Sequence, residues 1–98
     1  MSTSKEYLAF IISVIPTDLN IKCKKMMGEI LLYLDDVLFG GLYDNRFLIK
    51  KTLSNEKYNL SLDIPYPSAK AMYVVDTLNY EEIKELILNC VHDLKNKK

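Results

Sequence analysis

Histidine occurs once in these 98 residues, at His92, and cysteine twice, at Cys23 and Cys90. With a single imidazole and no closely spaced cysteine pair, the sequence does not support a tetrahedral zinc site. No Ser/His/Asp arrangement is visible. A lone His92 off the apolar stripe of its segment is expected to be solvated, since a general base needs a partner within hydrogen-bond reach. Net charge is missing as well: thirteen basic side chains are balanced by thirteen acidic ones. The overall field therefore gives no reason to expect a nucleic acid or a membrane surface as partner. No apolar run reaches the roughly 18 residues that a membrane span needs. The opening stretch MSTSKEYLAF lacks the apolar core and small-residue cleavage site of a signal peptide. The expectation is a cytoplasmic protein with reduced thiols, without catalytic activity, metal or cofactor.

What is present suits one globular domain spanning residues 1–98. The apolar fraction is 49% and the charged fraction 27%, which is ordinary for such a chain. Its organising stretch is Met26–Lys51, MMGEILLYLDDVLFGGLYDNRFLIKK. Two polar pairs, Asp35-Asp36 and Asp44-Asn45, separate apolar runs. Asp and Asn tolerate the backbone angles of tight hairpin turns, so the stretch predicts a three-strand meander over Glu29–Leu34, Val37–Tyr43 and Arg46–Lys50.

Around this meander the elements follow from spacing. Thr3 with Glu6 fits a capping box opening a helix. Leu8, Ile11, Ile12 and Ile15 form its apolar face, and Pro16 ends it. Tyr7, Phe10 and Val14 add a second stripe, which is either a wide core face or an interface with a partner or a second copy. Ile21–Lys25 alternates apolar and basic residues, as a half-buried strand with Ile21 and Cys23 inward. Gly28 supplies a turn or bulge, and Met26 and Met27 fill core gaps. Residues 52–63 are poorly periodic and leave a capped turn from Ser54 or a loop. Met72–Val75 reads as a further strand. Asn79 with Glu82 caps a helix carrying Ile83, Leu86, Ile87, Cys90, Val91 and Leu94 at strict helical spacing. Glu81, Glu82 and Glu85 early and Lys95, Lys97 and Lys98 late suit its dipole.

With two-residue turns, one face of the meander carries Leu31, Tyr33, Leu38, Gly40, Leu42, Phe47 and Ile49. That face is assigned to the helices because it is nearly all apolar. The opposite face mixes Ile30, Leu32, Leu34, Val37 and Phe39 with Tyr43, Arg46 and Lys50. Such a face calls for a cover from the chain or a partner. A bulge near Gly40-Gly41 would swap the faces in one strand. The glycine pair leaves room for a large opposing side chain or bulge, or admits a ligand or partner strand. Lys22, Lys24 and Lys25 project from one strand. Arg46, the sole arginine, follows a turn beside Tyr43, where it can stack locally or meet a carboxylate, a phosphate or a protein.

The runs Lys25–Tyr33 (KMMGEILLY) and Leu38–Lys50 (LFGGLYDNRFLIK) resemble the TfoX/Sxy N-terminal domain family. Pro65-Tyr66 and Ala69-Lys70 also match that pattern, whereas residues 52–63 are less typical of it. The resemblance implies an α+β fold. This is a two-layer α/β sandwich whose antiparallel sheet of about five strands carries the N- and C-terminal helices on one face. The chain is similar to the N-terminal half of full-length members, whose second domain is helical. It further implies a non-enzymatic regulator tied to natural competence, acting with the cyclic-AMP receptor protein. A protein partner from the transcription machinery or its regulators is therefore expected. The expected partner-binding positions are Tyr43, Arg46, Gly40, Gly41, Phe39, Met26 and Met27. Direct nucleic-acid binding and homodimerisation stay open. The alternative function is a small-ligand or peptide-binding domain using the Gly40-Gly41 region.

Overall fold

The computed structural model describes residues 3–26, 28–76 and 79–96. Met27, expected to fill a core gap and meet a partner, and Lys97 and Lys98, expected to oppose the helix dipole, lie outside the described residues. Helix α1 spans Lys5–Val14, and its N-cap is Ser4, whose side chain accepts from the Tyr7 backbone N–H. The expected Thr3 cap is displaced because Thr3 is used elsewhere. Its hydroxyl donates to the Leu42 carbonyl at 3.0 Å and accepts from the Asn45 N–H at 3.3 Å. Thr3 is thereby pinned to the sheet. Ile11 and Ile15 are buried and Tyr7, Leu8 and Val14 pack against them. Of the second stripe Tyr7 and Val14 are used and Phe10 points outward, while Ile12, expected on the apolar face with Ile11 and Ile15, is exposed because its position turns it away from the sheet.

Strands β1 (Ile21–Met26), β2 (Glu29–Leu34), β3 (Val37–Leu42) and β4 (Phe47–Ile49) form the antiparallel meander. Both predicted turns are present. Asp35 and Asp36 have φ of 52° and 63°, and Asp44 and Asn45 have 51° and 59°. This left-handed geometry at both central residues is the turn whose twist matches paired strands. Tyr43 and Arg46 close the second turn by exchanging backbone hydrogen bonds of 2.8 and 3.0 Å.

The face assignment differs from the simple alternation. Leu32 pairs with Gly40 but Tyr33 with Leu38, so Phe39 is an extra residue in β3. This bulge puts Phe39 and Gly40 both toward the helices and reverses the phase on either side. Ile30, Leu32, Leu34 and Phe39 join Leu42, Phe47 and Ile49 in the main core. Leu31, Tyr33 and Leu38, assigned by counting to the helix side, lie on the other face. Cys23 pairs with Leu32 and so lies on the helix side as expected, but it is exposed. Its strand is the sheet edge, where only Ile21 packs against the main core among the described residues of β1.

The remaining elements are a 3-10 helix at Leu53–Tyr58, β5 (Leu62–Asp63), β6 (Met72–Val74) and α2 (Tyr80–Lys95). Among the described residues the sheet thus has six strands in the order β1-β2-β3-β4-β6-β5, one more than expected, because the short β5 hides in the aperiodic segment. Asn79 caps α2, accepting from the Glu82 N–H at 2.9 Å as its spacing predicts. Ile83, Leu86, Ile87, Cys90 and Val91 of α2 close the same core as Ile11 and Ile15 of α1. The α+β sandwich with both helices on one face is the observed fold. Thr52, not Ser54, precedes the 3-10 helix. Ser54 instead gives its N–H and hydroxyl to the Asp93 carboxylate at 2.8 and 2.7 Å.

Candidate functional site: the uncovered sheet face

Strand register places side chains on the helix-free face in rows. One row runs Lys24, Leu31, Gly41, Leu48 and Val74 across five strands. A second runs Lys22, Tyr33 and Leu38. Met26 and Glu29 pair at one end of β1 and β2. Within this face Tyr43, Leu48 and Met72 make a small buried cluster, with Leu31 and Val74 packed against it. Leu31, Tyr33, Leu38 and Val74 are half-buried, and no residue of the described helices belongs to this cluster. A sheet face this apolar is a surface that a second molecule can bury.

The glycine pair serves the sheet itself. A Cβ on Gly40 would stand 2.3 Å from the Leu48 carbonyl oxygen. On Gly41 it would stand 2.5 Å from the Ile30 carbonyl oxygen and 3.1 Å from the Tyr43 ring. Backbone and an aromatic ring fill the space that side chains would otherwise take. Phe39, Gly40 and Gly41 are all buried. Tyr43 covers Gly41 and meets the Tyr66 ring with centroids 6.4 Å apart. Burial pushes its phenol pKa up.

Arg46 acts as a clasp. Its Nη1 donates to Asp63 Oδ2 at 2.6 Å and to the Ile64 carbonyl at 3.2 Å. Its Nη2 reaches the Pro65 carbonyl at 3.2 Å and its Nε the Tyr43 carbonyl at 3.0 Å. The planar fork ties the β3–β4 turn to the segment after β5, a geometry that Lys cannot reproduce. The Arg46 hydrogen bond holds the Asp63 carboxyl below the usual carboxylate range.

Beside this clasp lies a hollow of about 570 Å³ bordered by Glu29, Asp44, Arg46 and the Ile64–Pro67 segment. Burial pushes the Glu29 carboxyl up, and its Oε1 is buried without a hydrogen-bond partner among the described residues. A second hollow, about 530 Å³, lies between the 3-10 helix and the end of α2, with Leu53, Tyr73 and His92 at its walls. Neither of these two hollows is lined by Gly40 or Gly41. His92 is exposed, as its position off the apolar stripe predicts. Among the described residues no group of three or more His, Cys, Asp or Glu side chains is placed to hold a metal ion. No helix among them is long and apolar enough to cross a membrane.

Of the expected partner-binding residues, Met26 and Tyr43 belong to the uncovered face, with Gly41 beneath Tyr43. Phe39 and Gly40 belong to the core side, and Arg46 is committed to the clasp. Leu31, Tyr33 and Leu38 were missed because the bulge reversed their phase. A large apolar residue immediately before two glycines was the available signal.

Fold and face together define a two-layer α+β domain with an open, partly apolar sheet surface. The chain is 36% identical over 78 residues to an "Uncharacterized 12.7 kDa protein in trpE 5'region" of Spirochaeta aurantia, a match that spans 78% of this chain and 68% of that protein. The chain belongs to the same family as that protein. No family model matches it.

Proposed function

We propose that this protein is a non-enzymatic, cytoplasmic interaction module, similar in role to the TfoX/Sxy N-terminal domain, that docks a transcription regulator or polymerase subunit. The uncovered face supports this reading. Leu31, Tyr33, Leu38 and Val74 lie beside one another, around a cluster that includes no residue of the described helices and already buries Leu48 and Tyr43. Capture from lysate of the source organism, after nuclease treatment, tests it. Wild-type protein is expected to retain a transcription regulator or polymerase subunit. The Tyr33→Ser variant, once its melting curve shows it folded, is expected not to. Equal retention by both forms would refute docking through this face.

A second reading has an observation of its own. The unpartnered Glu29 Oε1 beside the hollow near Tyr66 suits a small ligand carrying a hydrogen-bond donor. A metabolite screen by thermal shift, with Glu29→Gln as control, tests it. A shift that persists unchanged in the variant excludes this hollow.

A further inference from the structure

The proposed docking face has an uneven charge distribution that the neutral composition hides. Among the described residues four lysine or arginine side chains form ion pairs: Arg46 with Asp63, Lys57 with Glu85, Lys84 with Asp18 and Lys95 with Asp35. Lys22 and Lys24 have no carboxylate partner among the described residues. Both are exposed on the edge strand, and register sets them beside Tyr33 and Leu31 on the uncovered face. Among the described residues the carboxylates on this face form no ion pair with Lys22 or Lys24. Glu29 sits at the end of β2, and Asp63 in β5 is held by Arg46. The β1 half of the face is therefore a half-buried apolar strip bordered by a row of free cations.

Three occupants can be weighed. A single-stranded nucleic acid would use the lysines, but base stacking needs an aromatic platform. This half offers Tyr33 among aliphatic Leu31 and Leu38. A second copy packed face to face would bury Lys22 and Lys24 against a surface without a free carboxylate row, leaving their desolvation without an offsetting partner. A protein segment with apolar side chains on one side and carboxylates along its border satisfies both parts of the surface. We infer that the partner presents an acidic amphipathic segment, whose apolar side chains cover Leu31, Tyr33 and Leu38 and whose carboxylates meet Lys22 and Lys24. This inference rests on the docking reading above and adds the partner's chemistry to it.

Two synthetic helical peptides with leucines at the same helical spacing, one with glutamates and one with lysines at the other positions, test it on isotope-labelled full-length protein. The glutamate peptide should shift the amides of Lys22, Lys24, Leu31, Tyr33 and Leu38. Its affinity should fall at least about tenfold in Lys22→Glu/Lys24→Glu and weaken with added salt, as exposed charge pairs do. The lysine peptide should leave these amides in place. Comparable binding of the lysine peptide, shifts confined to the helices, or no change in the double variant would overturn the inference. So would tight binding of a single-stranded oligonucleotide, or self-association through the same amides. Lysate capture separates the two levels. Retention lost in Tyr33→Ser but kept in Lys22→Glu/Lys24→Glu removes the acidic partner and leaves docking intact. Retention kept in Tyr33→Ser removes docking itself.

Discussion

Asn55 is fully buried, and its Nδ2 donates to the Leu86 carbonyl oxygen at 3.0 Å, fastening the 3-10 helix to α2. Asn89 Nδ2 in turn donates to Asn55 Oδ1 at 3.2 Å. Both ends of the amide are satisfied, as a buried polar group requires. Asn55→Ala is expected to destabilise the fold by about 2 kcal/mol, the range for a lost buried hydrogen bond. Asn55→Asp should be worse at neutral pH, because an ionised carboxylate cannot donate to Leu86. Urea unfolding midpoints of the two variants check the order.

Gly40 is expected to tolerate no side chain. A Cβ there would meet the Leu48 carbonyl oxygen at 2.3 Å and Ile49 Cα at 2.8 Å, and both are backbone atoms that cannot rotate away. Gly40→Ala should cost about 3 kcal/mol, at the upper end for overpacking. Thermal unfolding against Phe10→Ala, a change at an exposed site, gives the scale. A near-wild-type melting temperature for Gly40→Ala would show that the bulge can move.

The Arg46–Asp63 clasp sets a pH dependence. Arg46 lowers the folded pKa of Asp63 below the unfolded value of about 3.9. Its contribution is therefore fully present above about pH 4 and is lost as pH falls through the lower folded value. The effect on stability is small because the carboxyl is solvated. Carbon-detected titration of the Asp63 carboxyl should show a depressed pKa in wild type and a rise toward the ordinary range in Arg46→Met, where the Ile64 N–H still bonds the carboxylate. An unchanged pKa in the variant would separate the two residues.

The two thiols should behave as different species. Cys90 is wholly buried, with its Sγ facing the carbonyls of Phe39 and Lys50, and burial pushes its pKa up to about 12. Cys23 is exposed on the edge strand, although partial burial raises its pKa too. Reaction with a disulfide reagent follows thiolate content and access. One equivalent should react quickly in the native protein and the second only at the rate of unfolding. Two fast equivalents would contradict the packing of α2 on the sheet.

Much of the fold could be read from local chemistry. Asp35-Asp36 and Asp44-Asn45 adopt the left-handed turns their residue types favour, and Asn79 caps α2 as its spacing to Glu82 suggests. The uncovered face was less legible. Counting by twos along a strand assumes an unbroken ladder, and Phe39 breaks it, moving Leu31, Tyr33 and Leu38 to the other side. Cys23 has the alternation of an inward residue but sits on the edge strand, where only Ile21 packs against the main core among the described residues of β1. Asn55 reads as a surface residue in a polar loop, and only the approach of α2 makes it part of the core. Each of these misses depends on which elements lie next to each other, and spacing along the chain does not encode that.

The order of strands also has a kinetic consequence. From Ile21 to Ile49 every strand pairs with the one before it, so these pairings close only short loops. Strand β6 must instead find β4 across residues 50–71, and α2 then brings the far end of the chain onto the finished sheet. Loop-closure entropy concentrates in those late steps. The meander is the low-contact-order part of the molecule and the first expected to be populated. Its uncovered face would then be presented to the cell before the second layer is in place.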